Sequence, residues 1–336
     1  MLKYILGLVL SVGVLQAAKA EHADSVVYYL KKSGKQVLIK DSADFYRVIL
    51  PPDTNTDKDR YRVYDYYNNG KLRSVATSLT VQLNLVLDGT CIDYFPNGKR
   101  KATLQYKNGR LTGTATHYYP NGKLYYSLNM EDQNYGYYDQ YYRGYLSNPA
   151  YGYKLQVIEF RDSIGNLLAS DGTGHILLFD DDFKKVIEEG DLNKNKKEGV
   201  WTGLIADSGR FTCIFHKDEL KSGTSFTDSG NHYNFKKLYV DPVFSDGMDA
   251  FYIFIKKNLR YPESARKHNV AGAVEVEFYV ETNGRVSDVT VAQSLFKSCD
   301  DEAIRVISMS PLWIPGYKFG IPVRTRYRVS VRFSKY

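Results

Sequence analysis

The sequence predicts a β-rich chain in two parts: an antiparallel hairpin repeat region, then a small α+β domain with the order helix, strand, strand, helix, strand. Three observations lead to this prediction. An Asn-Gly phrase recurs between residues 67 and 123, helical spacing begins near residue 246, and apolar and polar residues alternate after it. With 336 residues, 43% of them hydrophobic and 25% charged, the chain can bury the cores of two domains.

The amino terminus has the features of a secretory signal peptide. A basic start at Lys3 leads into an apolar run from Tyr4 to Leu15, and Ala18-Lys19-Ala20 forms a small-residue exit. The run is shorter than the roughly 20 residues of a spanning helix. We therefore expect export and cleavage after Ala20, and the alternative is a retained leader that anchors the chain in the inner membrane.

Four copies of one phrase predict the hairpins of the repeat region. They begin at Tyr67, Phe95, Tyr106 and Tyr119, and each reads aromatic, any residue, Asn, Gly, base. Asn-Gly favours a type I′ turn, because both central positions of that turn need positive φ. The last two spacings, 11 and 13 residues, together resemble one stacked unit of 24. Weaker copies follow at 162–166, 189–203 and 226–230.

Tyrosine is concentrated in this region. The chain has 30 Tyr against 16 Phe and 2 Trp, and 18 of the Tyr lie between Tyr61 and Tyr153, including a dense insert from Tyr135 to Tyr153. Rings that cover a thin meandering sheet while their hydroxyls stay hydrated explain the excess. A ligand-binding aromatic platform is the alternative.

Composition and motifs argue against several function classes. The net charge of +7 is spread without a block of like charges, so no nucleic-acid partner is expected. Cys91, Cys213 and Cys299 have no metal-ligand spacing and permit one disulfide without requiring it. The six His form no zinc motif, and neither a nucleophile elbow nor a phosphate loop occurs. We therefore expect a non-enzymatic chain without metal or cofactor.

The last hundred residues predict the α+β domain. Asp246 is placed to cap a first helix, Tyr261-Pro262 interrupts it, and Asn283-Gly284 turns the hairpin that follows. The apolar helix positions are Met248, Phe251, Tyr252, Ile255 and Leu259.

A second helix and a final strand complete the domain. Ser298 and Asp301 have the spacing of a capping box for this helix, which ends at Pro311. A thiol of lowered pKa at its start, Cys299, is the alternative to a buried thiol. The last strand alternates between an apolar face (Val323, Thr325, Tyr327, Val329, Val331, Phe333) and a basic face (Arg324, Arg326, Arg328, Arg332).

These residues resemble the TonB carboxy-terminal domain. The matching motifs are Tyr261-Pro262-x-x-Ala265, Gly272-Ala273-Val274, Asn283-Gly284, Ser294, Asp301-Glu302-Ala303, Trp313-x-Pro315-Gly316, Gly320-x-Pro322-Val323 and Val331-x-Phe333. The phrases of the repeat region resemble MORN-type repeats over roughly residues 60 to 238. The whole is similar to TonB-domain proteins of Gram-negative bacteria. We expect a signal peptide at 1–20, an N-terminal segment at 21–59, repeats at 60–240 and the TonB-like domain at 241–336.

The resemblance implies a periplasmic protein that engages TonB-dependent outer-membrane receptors in energy-coupled transport. In the family, the TonB-box segment of a receptor adds as a strand beside the last strand of the domain. The residues implied in partner binding are Arg260, Tyr261, Pro262, Arg324, Thr325, Arg326, Tyr327, Arg328, Val329 and Val331. Self-association through the same edge strand is a further possibility. The alternative function is a cell-envelope scaffold that makes protein contacts without energy transduction.

Two features leave this reading open. If the first strand of the domain is central, its outward Glu275, Glu277 and Glu281 share a face with the arginines, which then form cross-strand ion pairs rather than partner contacts. An energy transducer needs an inner-membrane helix and a long Pro-rich spacer, but the chain has only 10 Pro and no Pro-Lys or Pro-Glu tract. Coupling to an inner-membrane motor would also require that the leader is retained as an anchor.

Overall fold

The computed structural model describes residues 25–53, 55, 57–130, 155–205 and 209–334. The chain divides into two compact units, Met1–Leu167 and Leu168–Tyr336. The predicted signal peptide and the Tyr-rich insert lie outside the described residues. Among the residues that are described, no helix is both long and apolar enough to cross a bilayer.

The first unit contains an antiparallel meander. One strand, β1, pairs with both β2 and β3, and from β3 onward each strand pairs with the next along the chain. Strand pairing thus begins before residue 60, inside the predicted N-terminal segment. The strands are β1 (Val26–Leu30), β2 (Gln36–Val37), β3 (Phe45–Leu50), β4 (Tyr61–Tyr67), β5 (Leu72–Ser78), β6 (Gly89–Tyr94), β7 (Arg100–Lys107), β8 (Arg110–Tyr118), β9 (Leu124–Met130) and β10 (Leu155–Arg161).

The Asn-Gly phrases form the hairpin loops, but three of the four are not type I′ turns. Only Asn108-Gly109 has positive φ at both positions. At Gly70, Gly98 and Gly122 the glycine alone has positive φ, and its N–H donates to the carbonyl of the aromatic residue three positions earlier. This is a type I turn followed by a left-handed glycine, a three-residue hairpin loop. The Asn side chain favours it by accepting the N–H two residues on, 2.9 Å from Asn97 Oδ1 to Lys99 N.

Aromatic or lysine side chains of the copies at 67–71, 95–99 and 119–123 bind the following loop at the same end of the sheet. Tyr67 and Tyr119 donate their hydroxyls to main-chain carbonyls just before the following loop, at 2.7 and 2.8 Å. The ammonium groups of the phrase lysines donate to carbonyls within the following loop, as in Lys99 Nζ to Asn121 O at 2.7 Å. Successive phrases are therefore linked in a row along the sheet, which favours an architectural role for their Tyr and Lys over ligand binding.

The core of the first unit lies on one face of this meander. The loop between β5 and β6 adds Val81, Leu85 and Leu87 to that face, which accounts for the longer first spacing between phrases. The buried apolar members are Ile49, Val63, Ala76, Cys91, Ala102, Leu104, Leu111, Ala115 and Met130.

A charged pair is buried on the same face. Arg47 on β3 donates from Nε and from its Nη2 to the two carboxylate oxygens of Asp65 on β4, at 2.8 and 3.0 Å. The side chains are 9% and 5% exposed, and Arg73 reaches the same carboxylate at 3.1 Å. Desolvation of both ions is tolerated here because the contact is bidentate and reinforced.

The second unit begins with a further antiparallel meander. Its strands pair in chain order, and Gly230 closes a loop with the same bond as the Asn-Gly copies, from the glycine N–H to the carbonyl three residues earlier. These strands are β11 (Leu167–Ser170, starting at the unit boundary), β12 (Thr173–Phe179), β13 (Val186–Asn193), β14 (Lys196–Ile205), β15 (Gly209–His216), β16 (Glu219–Thr227) and β17 (His232–Phe235).

The α+β region follows within the second unit. Its three-stranded sheet has the order β21-β20-β25, and α1 and α3 contribute to one buried core with it. The predicted order of helix, strand, strand, helix, strand is confirmed, with short additions. The elements are β18 (Tyr239–Val240), β19 (Val243–Phe244), α1 (Met248–Asn258), α2 (Glu263–Lys267), β20 (Gly272–Val280), β21 (Val286–Gln293), α3 (Lys297–Ser308), β22 (Trp313–Ile314), β23 (Gly316–Lys318), β24 (Ile321–Val323) and β25 (Thr325–Phe333).

The predicted helix caps are wrong. Neither Asp246 nor Ser298 caps a helix with its side chain, and α1 and α3 begin after Gly247 and Phe296. At α3 the carboxylate of Asp300 instead accepts from Ser294 Oγ and from the main-chain N–H of Leu295, at 2.5 and 3.0 Å. Side chains just inside or before a helix compete for the same groups, so spacing alone does not identify the cap.

One aromatic side chain joins the α+β region to the last repeat strands. Phe319, between β23 and β24, lies face to face with Phe211 on β15 at a centroid distance of 4.5 Å, and edge-on to Phe235 on β17 at 5.8 Å. Its carbonyl accepts from Ser225 Oγ at 2.8 Å, and its N–H donates to Leu238 O at 2.8 Å. Stacking and main-chain bonds therefore fix the two parts of the second unit together.

The buried ion pair gives a first prediction. Asp65→Ala leaves the guanidinium of Arg47 buried without its carboxylate, so we expect the free energy of unfolding to fall by about 3–5 kcal/mol. The double variant R47M/D65L removes both charges and should recover most of that loss. Urea unfolding followed by far-UV circular dichroism measures the effect. Tryptophan fluorescence is the internal reference, since Trp201 and Trp313 both lie in the second unit. Equal losses in the single and double variants would contradict the prediction.

A partly buried histidine gives a second prediction. His117 stacks on Tyr126 at 4.5 Å, and burial lowers the pKa of its imidazole from 6.5 to about 3. The unfolded chain takes up a proton below pH 6.5 and the folded one does not. This group therefore destabilises the protein as pH falls from 6.5 toward 3, by at most about 1.4 kcal/mol per pH unit. In His117→Phe, the melting temperature should fall less between pH 7 and pH 5 than in the unmodified protein. In the control His268→Phe, at an exposed site, the fall should be unchanged. Identical behaviour of both variants would refute the assignment.

Candidate functional site

The last strand, β25, lies at the edge of the three-stranded sheet. Among the described residues its only strand partner is β20, which it meets from Gly272↔Phe333 to Val280↔Thr325. In an antiparallel strand, alternate residues direct both N–H and C=O away from the partner. Of nine residues, four or five therefore offer main-chain groups to a further strand. The predicted edge is present.

The side chains of β25 divide sharply between the two faces. Thr325, Val329 and Val331 are buried in the domain core, at 8%, 5% and 0% exposure. These three predicted partner-binding residues can thus meet a partner only through their main chain. Tyr327 is half-buried on the same face, where its ring packs 5.2 Å from Trp313. Their burial anchors the strand so that its open edge is held extended.

The predicted arginines lie on the opposite, exposed face and are engaged there. Arg326 and Arg328 both donate to the carboxylate of Glu277, the latter at 3.1 Å. Arg324 donates from Nε to Glu281 at 2.7 Å, contacts Asp288, and lies over the ring of Tyr279 at 3.5 Å. Cross-strand ion pairing is therefore observed for all three. Exposed pairs of this kind contribute little to stability, so they remain exchangeable.

The pKa values of Glu277 and Glu281 reflect this pairing. Hydrogen bonds from Arg326 and Arg328 hold the pKa of Glu277 below its ordinary value, and Ser287 and Arg324 do the same for Glu281. Both carboxylates are consequently ionised at neutral pH, and the face carries alternating charges across β20 and β25.

The other predicted segment reaches the far end of β25. The ring of Tyr261 lies edge-on to Phe333 at 6.1 Å, and its hydroxyl donates to Val270 O. Pro262 precedes α2, and the main-chain N–H of Arg260 donates to Glu302 Oε1 at 2.6 Å. The structure thus places Tyr261 beside the end of the edge strand, whereas Arg324 lies at the strand's beginning.

Two positions on α1 were not among the predicted site residues. Met248 Sδ lies 3.8 Å from the hydroxyl of Tyr327, and Tyr252 is 53% exposed although it continues the apolar helical spacing. Helical spacing places Tyr252 among the apolar positions of α1. The spacing does not show that its ring is exposed.

The glycines of the sequence motifs are explained by close approach. Gly284 has φ +80°, and a Cβ at this position would lie 2.0 Å from the carbonyl oxygen of Trp313. The same loop accepts the N–H of Trp313 at 2.8 Å. A Cβ on Gly316 would lie 2.3 Å from Thr325 Oγ1. The hairpin loop and the start of β25 are therefore fitted against the segment that contains Trp313.

The three thiols are buried and free. Burial raises the pKa of Cys91 and of Cys213 to about 12, and raises that of Cys299 as well. The buried, unreactive form expected for Cys299 is thus observed rather than the lowered pKa. No disulfide joins these residues.

Family comparisons agree with this geometry. Residues 257–334 match the model of the Gram-negative bacterial TonB protein C-terminal. Residues 87–108 and 111–132 match the MORN repeat variant. Both matches confirm the resemblance predicted from the sequence, in the same order along the chain. No curated protein matches the chain.

The match to the TonB C-terminal model thus covers less than a quarter of the 336 residues. It begins near the end of α1 and includes all of β20 and β25. It covers every residue predicted for partner binding. The repeat match covers the β6 to β9 strands, where the Asn-Gly phrases are most regular.

The fit between Gly284 and Trp313 gives a third prediction. Gly284→Ala should destabilise the second unit by more than about 1 kcal/mol, because strain at positive φ adds to the clash with the Trp313 carbonyl. Gly230→Ala is the matched control, at φ +85° in the same type of loop with no atom within 4 Å of the added Cβ. Thermal unfolding followed by tryptophan fluorescence compares the two. Equal losses would show that the contact with Trp313 has no energetic role.

Proposed function

We propose that this protein is exported to the periplasm and engages TonB-dependent outer-membrane receptors, in energy-coupled transport, by adding a receptor segment to β25. The proposal rests on one observation above all: the TonB-like domain presents β25 as an edge strand with no second strand partner among the described residues. The repeats act as a spacer or as a second surface for protein contacts.

Strand addition suits the geometry of this edge. Side-chain burial at Val329 and Val331 fixes the strand, so a partner does not have to order it on binding. Main-chain bonds supply affinity, and the alternating faces supply selection. Five or six such bonds at roughly 1 kcal/mol net each give dissociation constants of about 0.1 mM or weaker after ordering costs. Such an affinity suits a contact that forms and releases under load.

The two faces of β25 offer an added strand different neighbours. On the outer face it meets the ion pairs of Arg326 and Arg328 with Glu277. On the inner face it lies near the flank of α1, where Tyr252 is exposed and Met248 contacts Tyr327. A receptor segment with polar and apolar residues in alternation fits both faces.

Photocrosslinking in intact cells tests the proposal. A benzoylphenylalanine at Ser330, exposed on β25, should capture TonB-dependent receptors through a segment identified by mass spectrometry. The matched control is the same group at Thr290, exposed on the opposite edge strand β21 of the same sheet. Receptor capture is expected from Ser330 and not from Thr290.

Other outcomes decide against receptor engagement. Capture of a second copy of this chain would indicate self-association through the edge strand. Capture of envelope proteins other than receptors, with the domain folded, would favour the scaffold function. Equal capture from Thr290 and Ser330 would show that the contact is not made by the β25 edge.

A further inference from the structure

The four arginines of the basic face are not equivalent. Arg324, Arg326 and Arg328 are held by acidic side chains, whereas Arg332 forms no ion pair with any residue that the structure describes. The register against β20 shows which acids each arginine can reach. Arg326 and Arg328 lie opposite or diagonal to Glu277 on β20, but the residue opposite Arg332 is Ala273. The nearest acid on this face is Glu275, opposite Ser330, and no ion pair joins it to Arg332.

Arg332 lines an open cavity at the end of the sheet. The cavity, of about 650 Å³, lies where β20 begins and β25 ends. The residues that line it are Asn269, Ala271, Gly272, Ala273, Arg332, Phe333 and Ser334. The guanidinium of Arg332, which is exposed, makes this site electropositive next to the open strand edge.

The chemistry of this site selects a carboxylate. A guanidinium presents paired N–H donors whose planar spacing matches the two oxygens of a carboxylate, and such pairs are stronger than neutral hydrogen bonds. A carboxylate that binds Arg326 or Arg328 must displace Glu277, so the two attractions partly cancel. At Arg332 only water is displaced, and the full attraction contributes to binding.

We infer that a segment added beside β25 is anchored by an acidic side chain, Asp or Glu, whose carboxylate binds Arg332 at the cavity. This inference rests on the proposed strand addition and specifies the chemistry of the partner. The acid lies at the end of the added strand that is level with Phe333, and it fixes the register of the partner along β25. Arg332 is thus a binding residue beyond those predicted from the sequence.

The test uses the full chain and the receptor segment captured through Ser330, made as a fluorescent peptide. We expect Arg332→Gln to weaken its binding about tenfold, as measured by fluorescence anisotropy. Arg326→Gln, a change of the same chemistry at a paired arginine on the same face, should change the dissociation constant less than twofold. Thermal unfolding of both variants checks that the domain remains folded.

A charge exchange separates anchoring from a general effect of positive charge. Arg332→Glu should abolish binding of the native peptide, and replacing the acidic residue of the peptide by Lys should restore it to that variant alone. Equal weakening by Arg332→Gln and Arg326→Gln, failure of the exchange, or a captured segment without any acid would overturn the inference while leaving strand addition intact. Failure to capture any segment would instead remove the proposed function, and the inference with it.

Discussion

The hairpin loop with a left-handed glycine is the element on which this structure depends. A meander of single strands reverses direction at every turn, and each reversal must leave neighbouring strands in register. The loop achieves this with one glycine at positive φ and one Asn that accepts the following N–H. In the first unit its Tyr and Lys side chains bind the next loop, so stacking order and turn geometry are specified by the same five residues. The TonB-like domain uses the same loop once, at Gly284, where it is fitted against Trp313.

Much of the fold could be predicted from the sequence because its signals are local. The Asn-Gly phrases locate hairpins, and alternation from Val274 to Val280 locates the strand that proves to be central. Turn type could not be predicted, since Asn-Gly fits both a two-residue and a three-residue loop. The predicted cap of α3 is wrong because Asp300, inside the helix, rather than Ser298 accepts the hydrogen bonds at this end, from Ser294 and Leu295 just before the helix. The early strands β1 to β3 carry no phrase and become visible only through pairing.

The candidate site was predictable in outline but not in its division of roles. Alternation along the last strand assigns arginines to one face and apolar residues to the other, and the structure agrees. Which arginine is engaged depends on the register against β20, which sequence alone leaves undetermined. Only the observed ion pairs show that, among the described residues, Arg332 is the arginine of this face without an acidic partner.

Phe319 limits where the TonB-like domain can be separated from the repeats. Its ring packs face to face with Phe211 and edge-on to Phe235 on the preceding repeat strands, and its carbonyl accepts a hydrogen bond from Ser225 on β16. A TonB-like domain that began at residue 241 would carry Phe319 without the rings that cover it. Phe211 and Phe235 would remain with the repeats. A boundary drawn at residue 241 therefore divides one aromatic cluster, and a fragment that keeps this cluster whole has to begin before Phe211.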